Sequence, residues 1–92
     1  MLVFEWDKNK AKSNFDKHGV SFEEAESVFI DDFARKFHDP DHSVDEYREI
    51  LFGYSNKNRL IIVGFTERNN KIRIINARKV TKKERKLYEE YY

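Results

Sequence analysis

The sequence predicts an α+β domain in which helices are grouped apart from an antiparallel sheet. Three observations carry that prediction. Helix caps punctuate the first third of the chain, strand-like segments joined by short asparagine links fill the middle and most of the last third, and a capping box opens one more helix near the end. The expected order is a short N-terminal strand, two helices, a four-stranded antiparallel meander and a C-terminal helix. Residues 1–92 are read as a single domain, since no repeat, linker or low-complexity stretch divides them.

Leu2 to Trp6 alternates as a short strand. Asp7 stands where an N-cap would stand, before the lysine-rich segment Lys8 to His18, and Gly19 closes that segment as a C-cap. Ser21 followed by Glu24 reads as a capping box, and Phe22, Ala25, Val28 and Phe29 give the apolar stripe of a second helix ending near Ile30–Asp31. Ala34 to His38 is a short strand, because the following Asp39–Pro40–Asp41–His42–Ser43 is turn chemistry and proline excludes a strand interior.

Strands are then expected over Glu46 to Tyr54, Arg59 to Arg68 and Lys71 to Val80. Asn56–Lys57–Asn58 and Asn69–Asn70 are links short enough to demand hairpins. Leu60 to Phe65 is apolar on both parities and so marks the central strand. Thr81 with Glu84 forms the capping box of the last helix, Lys82 to about Glu90, anchored by Leu87 and Tyr88.

Composition narrows the function classes. With 14 aromatic residues the chain has material for a core despite 38% charged residues. No cysteine means no disulfide and no thiolate metal site, which suits a reducing cytoplasm. The longest apolar run, Leu60 to Phe65, is far shorter than a bilayer span, and MLVFEWDKNK lacks signal-peptide form, so a cytoplasmic protein without membrane contact is expected. The net charge of +1 hides a division: residues 1–20 balance at +1, residues 21–55 at −7 and residues 56–92 at +7. Such blocks can steer a polyanion to one face.

The candidate chemistries differ in how well their spacing supports them. His38, Asp39, Asp41 and His42 lie close together, but their spacing matches no helix-borne or finger-type metal site, so no metal is expected. His18 at a helix C-terminus reads first as a favourable cation there. Three scattered glycines build no phosphate loop, and no cofactor is called for. There remain arginines placed inside strand pattern: Arg48, Arg68, Arg73 and Arg78. A guanidinium stays charged, grips phosphate oxygens through two donors and can stabilise an anionic phosphorane. RNA supplies its own nucleophile, the 2′-hydroxyl, so a metal-free ribonuclease needs positioning, charge neutralisation and proton transfer. Phe37, Tyr47 and Tyr54 are aromatic residues that could either stack bases or pack the interior.

Strand parity tests the arginine set. Arg73 and Arg78 are five apart and would face opposite sides of a regular strand, whereas a β-bulge near Ile74–Ile75 would bring Arg73, Asn76 and Arg78 to one face and Ala77 to the core.

The segments FEWDKNKAKSNFDKHGVSFEEAESVF, DEYREILFGYSNKNRLIIVGFTER and IRIINARKVTKKERKLYEE together resemble the BrnT toxin family of type II toxin–antitoxin systems, over nearly the whole chain. The resemblance implies a RelE-like fold and a metal-independent endoribonuclease that cleaves RNA and inhibits translation. It also implies a cognate antitoxin of the BrnA type with a ribbon-helix-helix part, operator DNA being bound only through that antitoxin. Carried over by motif, the family's arginines fall on Arg48, Arg68, Arg73 and Arg78; its usual serine is Asn76 here, an amide that can still donate to phosphate; His18 lies in its KHGV segment.

The reading assigns catalysis to Arg48, Arg73, Arg78 and, as proton carrier, His38. RNA binding falls to Arg68, Lys71, Asn76, Lys79 and Tyr54. The rival from another class is a non-catalytic RNA- or protein-binding domain using the same basic residues on backbone phosphate.

Overall fold

A computed structural model describes residues 1–40 and 46–90. The chain runs β1 (Phe4–Glu5), α1 (Lys8–His18), α2 (Phe22–Val28), β2 (Arg35–His38), β3 (Glu49–Tyr54), β4 (Leu60–Arg68), β5 (Lys71–Lys79) and α3 (Lys82–Glu89). The predicted order holds, with one correction to the sheet. It has five strands in the order β1-β5-β4-β3-β2, because the N-terminal strand joins it parallel to β5, Phe4 opposite Ile72 and Glu5 opposite Arg73. The other pairs are antiparallel, so the meander β2 to β5 is as expected and the whole sheet is mixed.

Local chemistry sets the element ends. Asp7 accepts from the backbone N–H groups of Asn9 and Lys10 at 2.8 and 3.0 Å, and Gly19 takes the left-handed conformation (φ 69°) that closes α1. At α3 the capping box is complete: Thr81 Oγ1 accepts from Glu84 N at 3.1 Å, while Glu84 Oε1 accepts from Thr81 N at 2.8 Å. At α2 it is only half made. Ser21 Oγ accepts from Glu24 N, but the Glu24 carboxylate turns away to Arg59 and Ser55. Asn69 and Asn70 both have positive φ, as a two-residue type I′ hairpin requires.

The core lies between the sheet and the pair α1–α2. Val20, Phe22, Ala25 and Val28 pack on Leu51, Ile61, Val63, Phe65, Ile72, Ile74 and Ala77, all buried. β4 is the central strand, and Leu60 to Val63 are buried on both parities because the sheet is covered on its second face too, at one end, by α3. There Tyr88 stacks on Phe52 (5.7 Å, 9°) and its hydroxyl donates to Phe33 O. Tyr88 is the anchor of α3, whereas Leu87, expected to share that role, is half exposed. None of the described helices is long and apolar enough to cross a membrane.

Candidate functional site

Between β4 and β5 the register shifts by one residue: Gly64 stands opposite Asn76 and Phe65 opposite Ile74, so Ile75 is the extra residue of a bulge. The bulge lies where the paired isoleucines suggested it. It sends Ile72, Ile74 and Ala77 to the core face and puts Arg73, Asn76 and Arg78 on the other, hereafter the arginine face. The Asn76 side chain lies against Gly64, where a Cβ would sit 2.6 Å from its Oδ1. Only glycine leaves room for that amide.

The arginine face has two ends. Four register steps separate Arg73 from Arg78, roughly 13 Å along the strand. At the α3 end, Arg78 donates through Nη1 and Nη2 to the two oxygens of Glu84, both at 2.8 Å. That fork holds the Glu84 carboxyl down at about 2, helped by the Thr81 backbone N–H. At the other end, Arg73 donates to Glu5 Oε2 at 3.3 Å, and Arg68 donates to Glu46 Oε2 at 2.6 Å. Arg68 lowers the Glu46 carboxyl, and the charges of Arg48 and Arg73 lower it further, so these three arginines share one field. Alternation along β3 and β5 places Arg48 and Lys71 on this face as well, with Lys71 opposite Arg68.

The other expected site residues divide between the two faces of the sheet. His38 stands opposite Glu49, on the face of Lys36 and Leu51, and is stacked on Tyr47 at 4.5 Å. The register thus points it away from the arginine face, at the sheet edge three strands from β5. Lys79 alternates with Arg78 onto the core-face side. Tyr54 packs edge-on against Tyr88 and accepts from Arg85, while Phe37 packs edge-on against Phe52. By the alternation along β3 Tyr54 is on the arginine face, at its α3 end, where it meets Tyr88 and Arg85; Phe37 packs on Phe52 of the same face. Of the His38–Asp39–Asp41–His42 group, Asp41 and His42 fall outside the described residues, and among the described residues no cluster of three or more His, Asp or Glu could hold a metal ion.

Sequence reasoning passed over the carboxylates on the arginine face. Glu5 and Glu46 lie 68 and 22 residues from their arginine partners, so no local pattern announces either contact. The capping-box position of Glu84, by contrast, was a readable signal for a carboxylate near Arg78.

An α+β domain with a bulged, arginine-rich strand beside an open sheet face is the class that fold and site define. The family model described as the BrnT ribonuclease toxin of type II toxin–antitoxin systems matches residues 6–84, and the chain belongs to that family. Its fold is similar to the crystal structure of the Brucella abortus ribonuclease toxin BrnT, with a TM-score of 0.70 and 24% identity over 89% of this chain and 100% of that one. A comparison with curated proteins finds no match.

Proposed function

We propose that this toxin is a metal-independent endoribonuclease whose cleavage of RNA arrests translation, and that the scissile phosphate sits at the Arg73–Asn76 end of the arginine face. The observation that carries this is the Ile75 bulge, which turns Arg73 and Asn76 to the same side with Asn76 exposed to solvent. The 2′-hydroxyl attacks its own phosphorus and the 5′-oxygen leaves, giving a 2′,3′-cyclic phosphate and a 5′-hydroxyl end. Arg73 and Asn76 donate to the phosphorane oxygens, where charge develops and fixed donors are most effective. Arg48 adds positive charge from the neighbouring part of the sheet. Glu5, within 3.3 Å of Arg73, is the group placed to accept the 2′-hydroxyl proton, and the leaving oxygen takes one from water. His38 faces the other way and has no part in this scheme.

Arg78 stands about 13 Å along the strand and contacts a neighbouring phosphate, together with Arg68 and Lys71 at the opposite end. A cognate antitoxin of ribbon-helix-helix type silences the toxin by covering this basic face, and the complex reaches operator DNA through the antitoxin.

The test is growth on controlled expression. The parent chain arrests growth and co-expressed antitoxin restores it, while Arg73→Ala and Asn76→Ala, folded by circular dichroism, do not arrest growth. Full toxicity in both variants would remove the arginine face from the reaction.

A further inference from the structure

Beside the arginine face, between α1 and the bulged part of β5, runs an open groove of about 470 Å³. It is lined by Lys10, Ser13, Asn14, Lys17, His18, Ile75, Asn76, Ala77 and Arg78. The helix period explains the alignment: residues 10, 14, 17 and 18 recur at three and four residue spacings and share one side of α1. Asn14 forms the floor, tied to Ala77 by hydrogen bonds in both directions. Lys10, Lys17, His18 and Arg78 line the groove around Asn14, and among the described residues no Asp or Glu does.

The cations differ in how far they are already committed. Arg78 spends both terminal nitrogens on Glu84. Lys10 and Lys17 are exposed, and neither has a carboxylate within the 4.0 Å of an ion pair among the described residues. On the far side of the same helix Lys12 is paired with Asp16 at 3.4 Å. The side of α1 that faces β5 therefore carries Lys10 and Lys17 without a close ion pair among the described residues, the Lys10 charge being felt at Asp7 at the start of the helix, and it meets the arginine face at Asn76, which belongs to both.

We infer that this groove binds the phosphodiester backbone of the RNA strand as it leaves the arginine face, with Lys10 and Lys17 as the phosphate contacts and Asn76 as the point of passage. The inference rests on the ribonuclease reading above and extends it from the reacting phosphate to the flanking chain. A groove lined by Lys10, Lys17 and Arg78, with Ile75 and Ala77 as the apolar residues among the described ones, suits a charged backbone better than a protein segment, which needs a large buried apolar anchor for affinity.

The test is binding of a single-stranded RNA carrying 2′-O-methyl groups, which cannot be cleaved, at a series of salt concentrations. Each phosphate contact contributes about 0.7 to the slope of log affinity against log salt for single strands. The double variant Lys10→Ala, Lys17→Ala is expected to flatten the slope by about 1.4 and to weaken binding roughly 25-fold at 0.1 M salt. Lys12→Ala, Lys83→Ala removes the same formal charge from other surfaces and is expected to match the parent more closely than tenfold. Equal losses in the two double variants would overturn the groove assignment. So would a Lys10, Lys17 variant that keeps its RNA affinity and loses only its antitoxin. A parent chain that neither binds this RNA nor cleaves the unmodified strand would overturn the ribonuclease reading, and the groove with it.

Discussion

Asn14 and Ala77 stand 63 residues apart and bond as two strands would. Asn14 Oδ1 accepts from Ala77 N at 3.0 Å and Asn14 Nδ2 donates to Ala77 O at 2.8 Å, so one amide replaces a strand along the part of β5 that the two-residue β1 does not reach. The same Nδ2 donates to Val20 O at 3.0 Å. A single buried side chain thus closes a sheet edge and fixes α1 beside the bulge.

Replacing Asn14 by Ala leaves a buried N–H and two carbonyls without their partner, at a cost of about 2–3 kcal/mol. Urea unfolding is expected to show a lower midpoint with an unchanged slope. A change below 0.5 kcal/mol, on the order of a neutral surface substitution, would mean that α1 is held by apolar contacts alone.

The Glu24–Arg59 pair ties three segments together. Glu24 is buried and accepts from Arg59 and from Ser55 Oγ, while Arg59 also donates to Gly19 O at the end of α1. Removing one member leaves a buried charge uncompensated, so Arg59→Ala should cost about 3 kcal/mol. Adding Glu24→Gln in the Arg59→Ala background removes that charge and is expected to recover part of the loss. The double-mutant cycle measures the coupling directly, and additive losses would show that no coupling exists.

Gly64 and Asn76 form a second dependent pair. Alanine at Gly64 must displace the Asn76 amide, whose Oδ1 lies 2.6 Å from the added carbon. Gly64→Ala should therefore lower RNA cleavage about as much as Asn76→Ala, and the double variant should be no worse than either single. Multiplying losses in the cleavage assay would mean that the two residues act separately.

These contacts mark where the sequence could be read and where it could not. Caps announce themselves locally: Asp7, Gly19 and Thr81 sit next to the groups they satisfy, so α1 and α3 were legible to within a residue or two. The bulge was legible only as one of two possibilities: the adjacent Ile74 and Ile75 marked where it could stand, but adjacent apolar residues also fit a regular strand covered on both faces, as Ile61 and Ile62 do in β4. The parallel addition of β1 was not, since two residues carry no pairing signal. The division of charge along the chain also misleads in part. Arg59 and Arg68 of the basic segment are held by Glu24 and Glu46 of the acidic one, contacts that arise only on folding. His38 looked available because spacing does not reveal which way an edge-strand residue faces; the register across β2 and β3 does.

Acid should loosen the fold through carboxyls whose ionisation folding favours. Glu84 ionises at about 2 in the folded chain against 4.5 for an ordinary glutamate, and Glu24 is lowered by Arg59. A depressed folded value means that this stability is fully present above about pH 5 and is lost as pH falls from about 4.5 toward 2. Because the Arg78–Glu84 pair is partly exposed, its share is about 1 kcal/mol after screening. Thermal unfolding followed from pH 6 to pH 3 should show a falling midpoint, with a shallower fall in Glu84→Gln. A midpoint indifferent to pH over this range would refute the role of these pairs.

The most direct test of arginine-based catalysis is cleavage of RNA by the purified toxin in excess EDTA, with the fragment ends identified by mass. Undiminished cleavage with 2′,3′-cyclic phosphate ends is expected, together with a loss on the order of 10² in rate for Arg73→Ala. Abolition of cleavage by the chelator, or fragments that carry 5′-phosphate and 3′-hydroxyl ends, would contradict attack by the 2′-hydroxyl under guanidinium stabilisation.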